Sequence, residues 1–148
     1  MANRSRIEFE ECLKKGLIRK SVPSRDKAHK GIIKANKFLE QALKAFKIKA
    51  YDSCLLTSYQ AVLLSAKSVL HKDGYREKSH ACVARYLEEI YVKSGDLEIK
   101  WIGLLDRFRD MRHDDESDVF FMASKILCEE IMKFADGFIE AMERIVSD

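Results

Sequence analysis

The sequence has few of the residues that break helices or build cross-linked scaffolds. Its 148 residues include one proline, six glycines and four cysteines. So little proline and glycine excludes collagen-like and low-complexity classes. No apolar run approaches the roughly 18 residues that a membrane-spanning helix needs. The first residues, MANRSRIEFEECLKKG, are too charged for a secretory signal, so we expect a cytoplasmic protein.

The cysteines are also poorly placed for a metal centre. Cys12, Cys54, Cys82 and Cys128 lie far apart and form no CxxC pair. No histidine stands at metal-ligand spacing from them, so the sequence contains no zinc signature. Three of the four fall in apolar helical runs. We therefore expect buried free thiols in a reducing compartment rather than disulfide bonds.

Charge is small in total but uneven along the chain. The net charge is +3, yet residues 1–50 carry 14 Lys and Arg against 5 Asp and Glu, whereas residues 51–148 carry 13 against 19. Two interpretations fit the basic first third. It attracts nucleic acid or an acidic partner, or it is a solvated helix face that keeps the protein in solution. The sequence alone favours neither.

What the sequence does contain is helical periodicity, with apolar residues at three- and four-residue spacing. Ser24 is a candidate N-cap, and Gly74 is a candidate left-handed residue at a helix end. The run from Asp52 to His71 is apolar around most of its circumference, which is typical of a central helix. The pattern predicts an all-α, antiparallel up-and-down bundle of five or six helices in a single domain, residues 1–148. The predicted helices cover residues 5–19, 24–48, 52–71, 78–93, 97–112 and 118–146.

The stretch FRDMRHDDES, residues 108–117, is the densest group of chemically active side chains. It contains Arg109, Arg112 and His113, followed at once by three carboxylates. Glycine-rich phosphate loops and HExxH or GxSxG motifs are absent from the chain. Arg112 follows Phe108 by four residues and so lies at the edge of the apolar helix face. The stretch is therefore either an anion site in a partly dry cleft or a solvated turn.

The middle of the chain carries a family resemblance. The run SYQAVLLSAKSVLHKDGYREKSHACVARYLEEIYVKSGDL, residues 58–97, ends its first helix at Gly74-Tyr75 and opens the next at Ser79-His80. Together with an Arg at position 112 before a turn and a long last helix, this pattern resembles the HEPN family of small helical-bundle proteins. The likeness covers roughly residues 25–145. Its other features are Tyr59, Ala61, Ala66, Lys67 and Leu70.

The resemblance implies a function and partners. Many HEPN proteins carry an Arg, four to six further residues and a His at the cleft of a symmetric homodimer. Members in which this motif is intact are often metal-independent endoribonucleases that use no cofactor. They are commonly toxins paired with a small nucleotidyltransferase of the MNT type. We therefore expect a homodimer, such a partner, and RNA or a nucleotide as ligand.

The family motif fits this sequence in two registers. Arg107 and His113 satisfy it with five intervening residues. Alternatively Arg112 takes the family Arg position, as in the divergent subfamily that reads roughly Arg-x-x-x-Asp-Tyr. That register puts Ser117 at the partner position and Glu116 where an Asp is usual, with no Tyr after it. Both registers stay open.

The candidate catalytic residues are Arg107, Arg112 and His113. The resemblance implies that Arg112 binds a phosphate, that His113 transfers protons and that Arg107 stabilises the developing charge. Ser117 cannot act as an acid–base group near neutral pH, which leaves a second hypothesis: a non-catalytic HEPN module that binds a nucleotide or a nucleotidyltransferase. A third is a helical scaffold whose basic first third docks on an acidic partner. We interpret His80 as structural.

Assembly bears on this site because one Arg/His corner has too few groups to hold a phosphodiester and move two protons. A two-fold dimer doubles their number. We expect the end of the fifth helix and the start of the last to line the contact, with two copies of Arg112 facing a shared cleft. The expected contact residues are Trp101, Leu105, Phe108 and Phe121.

Overall fold

A computed structural model describes residues 6–113 and 124–148, with Arg112 and His113 described by their backbone alone. Within these ranges the chain forms six α-helices and one two-stranded sheet, and a π-helical turn, Glu88–Val92, follows α4 directly. The prediction of an all-α helical bundle is confirmed. In chain order the elements are α1 Phe9–Lys14, β1 Ile18–Lys20, α2 Arg25–Lys47, α3 Tyr51–Asp73, β2 Tyr75–Glu77, α4 His80–Leu87, α5 Lys100–His113 and α6 Lys125–Ser147.

Helix α3 is the centre of the bundle, as its apolar circumference predicts. It packs against α2 and α6, and twelve of its residues are buried. Small residues let α2 approach closely: a Cβ added at Gly31 would lie 2.1 Å from Ser68 Oγ of α3. Ser68 is buried but satisfied, because its hydroxyl donates to the carbonyl of Leu64 at 3.0 Å. The α2–α3 pair is therefore fixed by shape as well as by apolar burial.

The predicted helix signals are found where the sequence places them. Ser24 Oγ accepts from the Lys27 N–H at 3.1 Å and so caps α2. Gly74 ends α3 with φ of 83°, a left-handed conformation that favours glycine. Ser124 caps α6 in the same way through the Leu127 N–H. The predicted start of the last helix, at residue 118, lies outside the described residues.

The predicted first helix, residues 5–19, is wrong beyond Lys14. Gly16, with φ of 66°, turns the chain after α1, and Ile18–Lys20 forms a strand. This strand pairs antiparallel with β2, and Ile18 lies opposite Glu77. Three residues are too few to show strand alternation, and the pairing joins segments far apart in sequence. Ile18 is buried, so the strand ties the N-terminal segment to the bundle.

The expectation of four free thiols is also wrong for two of them. Cys12 of α1 and Cys82 of α4 form a disulfide with a Cα–Cα distance of 5.8 Å, across 70 residues of sequence. Cys54 and Cys128 are free and buried, as expected. Burial raises the pKa of both thiols, that of Cys128 to about 12. The disulfide holds α1 against α4, and β1 pairs with β2, so both tie the N-terminal segment to the bundle.

The predicted helix over residues 78–93 divides into α4 and the π-helical turn Glu88–Val92. The turn places Tyr91 near the end of α3. The hydroxyls of Tyr86 and Tyr91 both donate to Asp73 Oδ2, at 2.8 and 2.5 Å. Burial, reinforced by these hydrogen bonds, raises the pKa of each phenol. One carboxylate thus joins α3, α4 and the turn after it.

The seam between α5 and α6 is aromatic. The ring of Phe108 stacks on that of Phe134 with centroids 5.3 Å apart. Leu105 and Phe108 are 2% and 1% exposed, so the prediction that they line a dimer contact is wrong: the fold itself buries them. Trp101 stays partly exposed, and Phe121 lies outside the described residues. In the described ranges no helix is both long and apolar enough to cross a bilayer.

Candidate functional site

Helix α5 carries all three predicted catalytic residues, but the structure describes only one of their side chains. Arg112 and His113 are the last residues of α5, and their side chains lie outside the described residues. Arg107 is half exposed, and its Nη2 donates to Glu130 Oε2 of α6 at 3.0 Å. Its guanidinium also lies over the ring of Phe108, 5.1 Å from the centroid. Arg107 therefore lies on the α6 side of α5.

Helical register separates Arg107 from His113. Each residue turns an α-helix by about 100°, so position 113 shares a side of α5 with Asp106, seven residues earlier, and Arg109, four residues earlier. Position 107 is six residues before 113 and falls on another side. Within one chain, α5 therefore does not bring Arg107 and His113 together.

The side of α5 that bears position 113 contacts a group of ion pairs. Asp106 is the centre of this group, because it accepts from Arg85 Nη2 at 2.5 Å and from Arg109 Nη1 at 2.6 Å. Arg109 Nη2 also donates to Asp110 at 3.1 Å. Arg6 pairs with Glu88, and this hydrogen bond raises the pKa of the Arg6 guanidinium. We term these residues the arginine cluster: Arg6, Arg85, Glu88, Asp106, Arg109 and Asp110.

Arg85 is the buried member of the arginine cluster, at 2% exposure. Removing an ion from water costs several kcal/mol, roughly, even after relaxation. Two carboxylates offset that cost: Asp106 binds Nη2, and Glu88 Oε1 lies 3.5 Å from Nε. Because Arg85 is on α4 and Asp106 on α5, the pair fixes these two helices relative to each other.

A cleft of about 590 Å³ opens beside the arginine cluster. One wall is the N-terminal segment at Arg6 and Ile7, and another is the side of α5 that bears Asp106, Arg109 and Asp110. The third wall is the start of α4, from Lys78 to Ala81, with Arg85 behind it. Cationic side chains predominate in this lining, so the cleft is suited to an anionic ligand.

Comparison with known proteins identifies the family of this chain. A family model described as HEPN domain matches residues 28–145. The chain belongs to the HEPN family. A relative described as a UPF0332 protein, from Archaeoglobus fulgidus, is 28% identical over 116 residues, which cover 78% of this chain and 92% of the relative. The resemblance based on residues 58–97 is thereby confirmed.

The N-terminal segment lies outside the part that the HEPN model matches, because the match begins at residue 28. That segment contains Arg6, Cys12 and β1. In this HEPN protein, one wall of the cleft therefore comes from residues beyond the matched range. The disulfide Cys12–Cys82 joins the two parts covalently.

Sequence reasoning missed the centre of the arginine cluster. Arg85 and Asp106 are 21 residues apart, and Arg6 and Glu88 are 82 apart, so no local spacing links them. One signal was available: Arg85 interrupts the apolar run ACVARYL, where a buried charge needs a partner. His80, interpreted as structural, lies in the wall of the cleft.

The α6 side of α5 is different, because it forms an apolar groove of about 570 Å³. Trp101 lies over Gly137, where an added Cβ would come within 2.5 Å of the ring. Lys100, Lys133 and Arg107 line the groove together with Glu130 and Asp136. This HEPN helix thus presents a charged cleft on one side and an aromatic groove with a charged rim on another.

Proposed function

We propose that this HEPN protein is the RNA-directed member of a toxin–antitoxin or related defence pair and acts as a metal-independent endoribonuclease. The observation that carries the proposal is the register of α5. Position 113 continues the side of α5 on which Asp106 and Arg109 lie, beside a cleft lined by cations. We infer that a histidine at this helical position acts together with the cations of the cleft, which suits proton transfer during RNA cleavage.

In the proposed reaction His113 removes the proton of a ribose 2′-hydroxyl, and the oxygen attacks the adjacent phosphorus. The bond from phosphorus to the 5′-oxygen of the next nucleotide breaks, and that oxygen takes up a proton from His113, which became protonated in the first step. Arg112 binds the non-bridging oxygens, and Arg107 stabilises the charge that develops on them. The products are a 2′,3′-cyclic phosphate end and a 5′-hydroxyl end.

The proposal requires a homodimer, because Arg107 and position 113 lie on different sides of α5 in one chain. A two-fold axis near the end of α5 would direct Arg107 of one protomer toward His113 of the other. The aromatic groove beside Arg107 supports this pairing, since it leaves Trp101 partly exposed. Light scattering that gives the mass of one chain, 17.1 kDa, at tens of micromolar would contradict it.

Cleavage of varied single-stranded RNAs by the purified protein tests the activity. His113→Ala should lower the rate by about 10²- to 10⁴-fold, as expected when a general acid–base group is lost. Arg112→Gln and Arg107→Gln should also lower it, because both residues act on the phosphate. His29→Ala changes an exposed histidine of α2 and should keep full activity. Intact RNA with the wild-type protein, or equal rates for wild type and His113→Ala, would contradict the proposal.

A second function is favoured by the charge balance of the arginine cluster. Arg6, Arg85 and Arg109 each already bind a carboxylate, which weakens their attraction for a polyanion. This balance, with Ser117 and Glu116 in the second register, supports a non-catalytic HEPN module that binds a nucleotide or an MNT-type nucleotidyltransferase. This second function would be favoured if the protein co-purifies with a nucleotidyltransferase encoded by the neighbouring gene and leaves RNA intact.

A further inference from the structure

The N-terminal segment, residues 6–20, has two halves that are attached to the bundle in different ways. The second half is held by backbone pairing, because β1 pairs with β2 and the Lys78 N–H donates to the Leu17 carbonyl at 2.8 Å. Ile18 of this half is buried. Gly16, with φ of 66°, separates the two halves. The second half therefore has an attachment of its own, which does not depend on the disulfide.

The first half, residues 6–15, depends on the disulfide. Its helix α1 has six residues, which is too short for a helix that is stable by itself. The side chain of Glu8, the N-cap residue, makes no capping hydrogen bond to the helix. Cys12 is the one buried residue of α1, and it is the residue bonded to Cys82. Burial and the covalent bond thus act at the same point of this half.

Two further contacts of the first half are weaker. Arg6 pairs with Glu88, but the Arg6 side chain is 48% exposed, and an ion pair that is so exposed contributes little to stability. The ring centroids of Phe9 and Tyr86 lie 6.2 Å apart, towards the upper end of the range for aromatic pairs. The disulfide is therefore the main attachment of α1.

The disulfide also joins two walls of the cleft. Cys82 is in the first turn of α4, and the start of α4, from Lys78 to Ala81, lines the cleft. Arg6 and Ile7 line it from the N-terminal segment. Loss of the bond would release the wall at Arg6 and Ile7, whereas α4 itself stays packed in the bundle through its buried residues.

We infer that the Cys12–Cys82 disulfide is a redox switch that controls the wall of the cleft at Arg6 and Ile7. In the oxidised protein this wall closes one side of the cleft. In the reduced protein residues 6–15 move away from α4, with Gly16 as the hinge, and the start of α4 becomes accessible from that side. The switch deepens the proposed function, and only its effect on RNA rests on that function.

A dithiol reductant operates the switch. One thiolate of the reductant attacks a sulfur of the disulfide, the S–S bond breaks, and the departing sulfur takes up a proton. The second thiol of the reductant then displaces the other protein sulfur, which is protonated in turn. Cys12 and Cys82 become thiols, and the reductant becomes a cyclic disulfide. Because both cysteines are buried, the attack requires local opening of α1, which its few buried contacts allow.

Reduction should change the charge of the cleft as well as its width. Arg6 leaves with the wall, and Glu88 then keeps Arg85, whose Nε lies 3.5 Å from its carboxylate. Because the lining loses one cation, RNA should bind less well and be cleaved about 5-fold more slowly, as expected when one partly exposed charge is lost. The oxidised form is therefore the more active one.

The accessibility of His80 tests the switch without RNA. His80 lies in the wall formed by the start of α4, and diethyl pyrocarbonate acylates an accessible imidazole. Treatment with dithiothreitol, which is removed before labelling, should raise the labelling rate of His80 about 3-fold or more, as expected when a covering segment opens. His29, exposed on α2, and His71, partly buried near the end of α3, should label at the rates of the oxidised protein.

Two double variants locate the effect. Cys12→Ala with Cys82→Ala should label His80 at the rate of the reduced wild type, with or without dithiothreitol. Cys54→Ala with Cys128→Ala is the matched control, because it removes the two buried free thiols and keeps the disulfide. It should respond to dithiothreitol as the wild type does.

The outcomes separate the switch from the proposed catalysis. Equal labelling of His80 before and after reduction would overturn the switch. An equal rise at His71 would also overturn it, because the whole bundle would then be opening. So would a reduced protein that cleaves RNA at least as fast as the oxidised one. If His80 responds as expected but RNA stays intact in both states, the switch stands and the proposed ribonuclease activity fails.

Discussion

The protein carries two cationic regions that differ in burial and in pairing. In the arginine cluster the guanidiniums of Arg85 and Arg109 are mostly buried and share the carboxylate of Asp106. On the outside of α2, five of the six exposed lysines lie beyond the first turn, and of these five only Lys30 has an ion pair in the described ranges, with Asp26 at 3.0 Å. We term this second region the lysine face: Lys30, Lys34, Lys37, Lys44 and Lys47.

The difference in burial and pairing gives the two regions different roles in the fold. A planar guanidinium binds two acceptors at fixed angles, so a buried arginine sets the position of the helices around it. Exposed lysines stay hydrated, and salt screens them within about 10 Å at 0.1 M ionic strength. The lysine face therefore contributes long-range attraction and solubility, whereas the arginine cluster contributes structure and a directed site.

The largest effect should follow from loss of the buried charge. Arg85→Gln deprives Asp106 and Glu88 of their buried partner and should lower the free energy of unfolding by about 3 kcal/mol. This is the lower end for a broken buried pair, because Arg109 still binds Asp106. Denaturant titration measures the change. Lys37→Gln on the lysine face is the control and should change stability by less than about 0.5 kcal/mol. Equal losses would remove the distinction between the two regions.

Breaking the disulfide should rank second. The double substitution Cys12→Ala, Cys82→Ala opens a loop of 70 residues and should lower the free energy of unfolding by about 2–4 kcal/mol. Hydrogen exchange should quicken in the N-terminal segment, which brings Arg6 to the cluster, and stay unchanged in α2. A reductant should reproduce this in the wild type and leave the double variant unaffected. Equal acceleration in α2 would show that both regions depend on the bond.

Removing three lysines at once should change the free energy of unfolding less than removing Arg85 does. Lys34→Gln, Lys37→Gln and Lys44→Gln together should change the free energy of unfolding by less than about 1 kcal/mol. At low salt the change should be toward stability, because the lysines repel one another, and high salt should cancel it. Thermal unfolding at two ionic strengths provides the measurement. A large loss in high salt would mean that the lysine stems pack against the fold.

The smallest effect concerns pH. Burial lowers the pKa of His71, against a weaker opposite effect of Glu77. The unfolded chain, with an ordinary pKa near about 6.5, then binds the proton more readily than the folded one. Stability is therefore full above this pH and declines as pH falls below it. His71→Gln should reduce the decline between about pH 7 and 5, and His29→Gln, on the exposed side of α2, should not. Identical slopes for both variants would show that His71 is not responsible.

Local features were predictable, and long-range ones were not. Apolar spacing and caps depend on neighbours within four residues, so α2, α3, Ser24 and Gly74 were correctly predicted. The Cys12–Cys82 bond and the Arg85–Asp106 pair join residues 70 and 21 positions apart, and one sequence does not record such contacts. The roles of Arg112 and His113 stay predictions, because their side chains lie outside the described residues.

The two tyrosines that bind the carboxylate of Asp73 also give this protein an intrinsic spectroscopic probe. Tyr86 and Tyr91 both donate to it, and the pKa of each phenol lies above its ordinary value. In alkaline solution these two rings should acquire phenolate absorbance later than an unstructured tyrosine, and only as the junction of α3, α4 and the π-helical turn opens. Because unfolded phenols ionise first, rising alkalinity draws the chain toward the open form. A spectrophotometric base titration therefore follows the state of this junction without any added label.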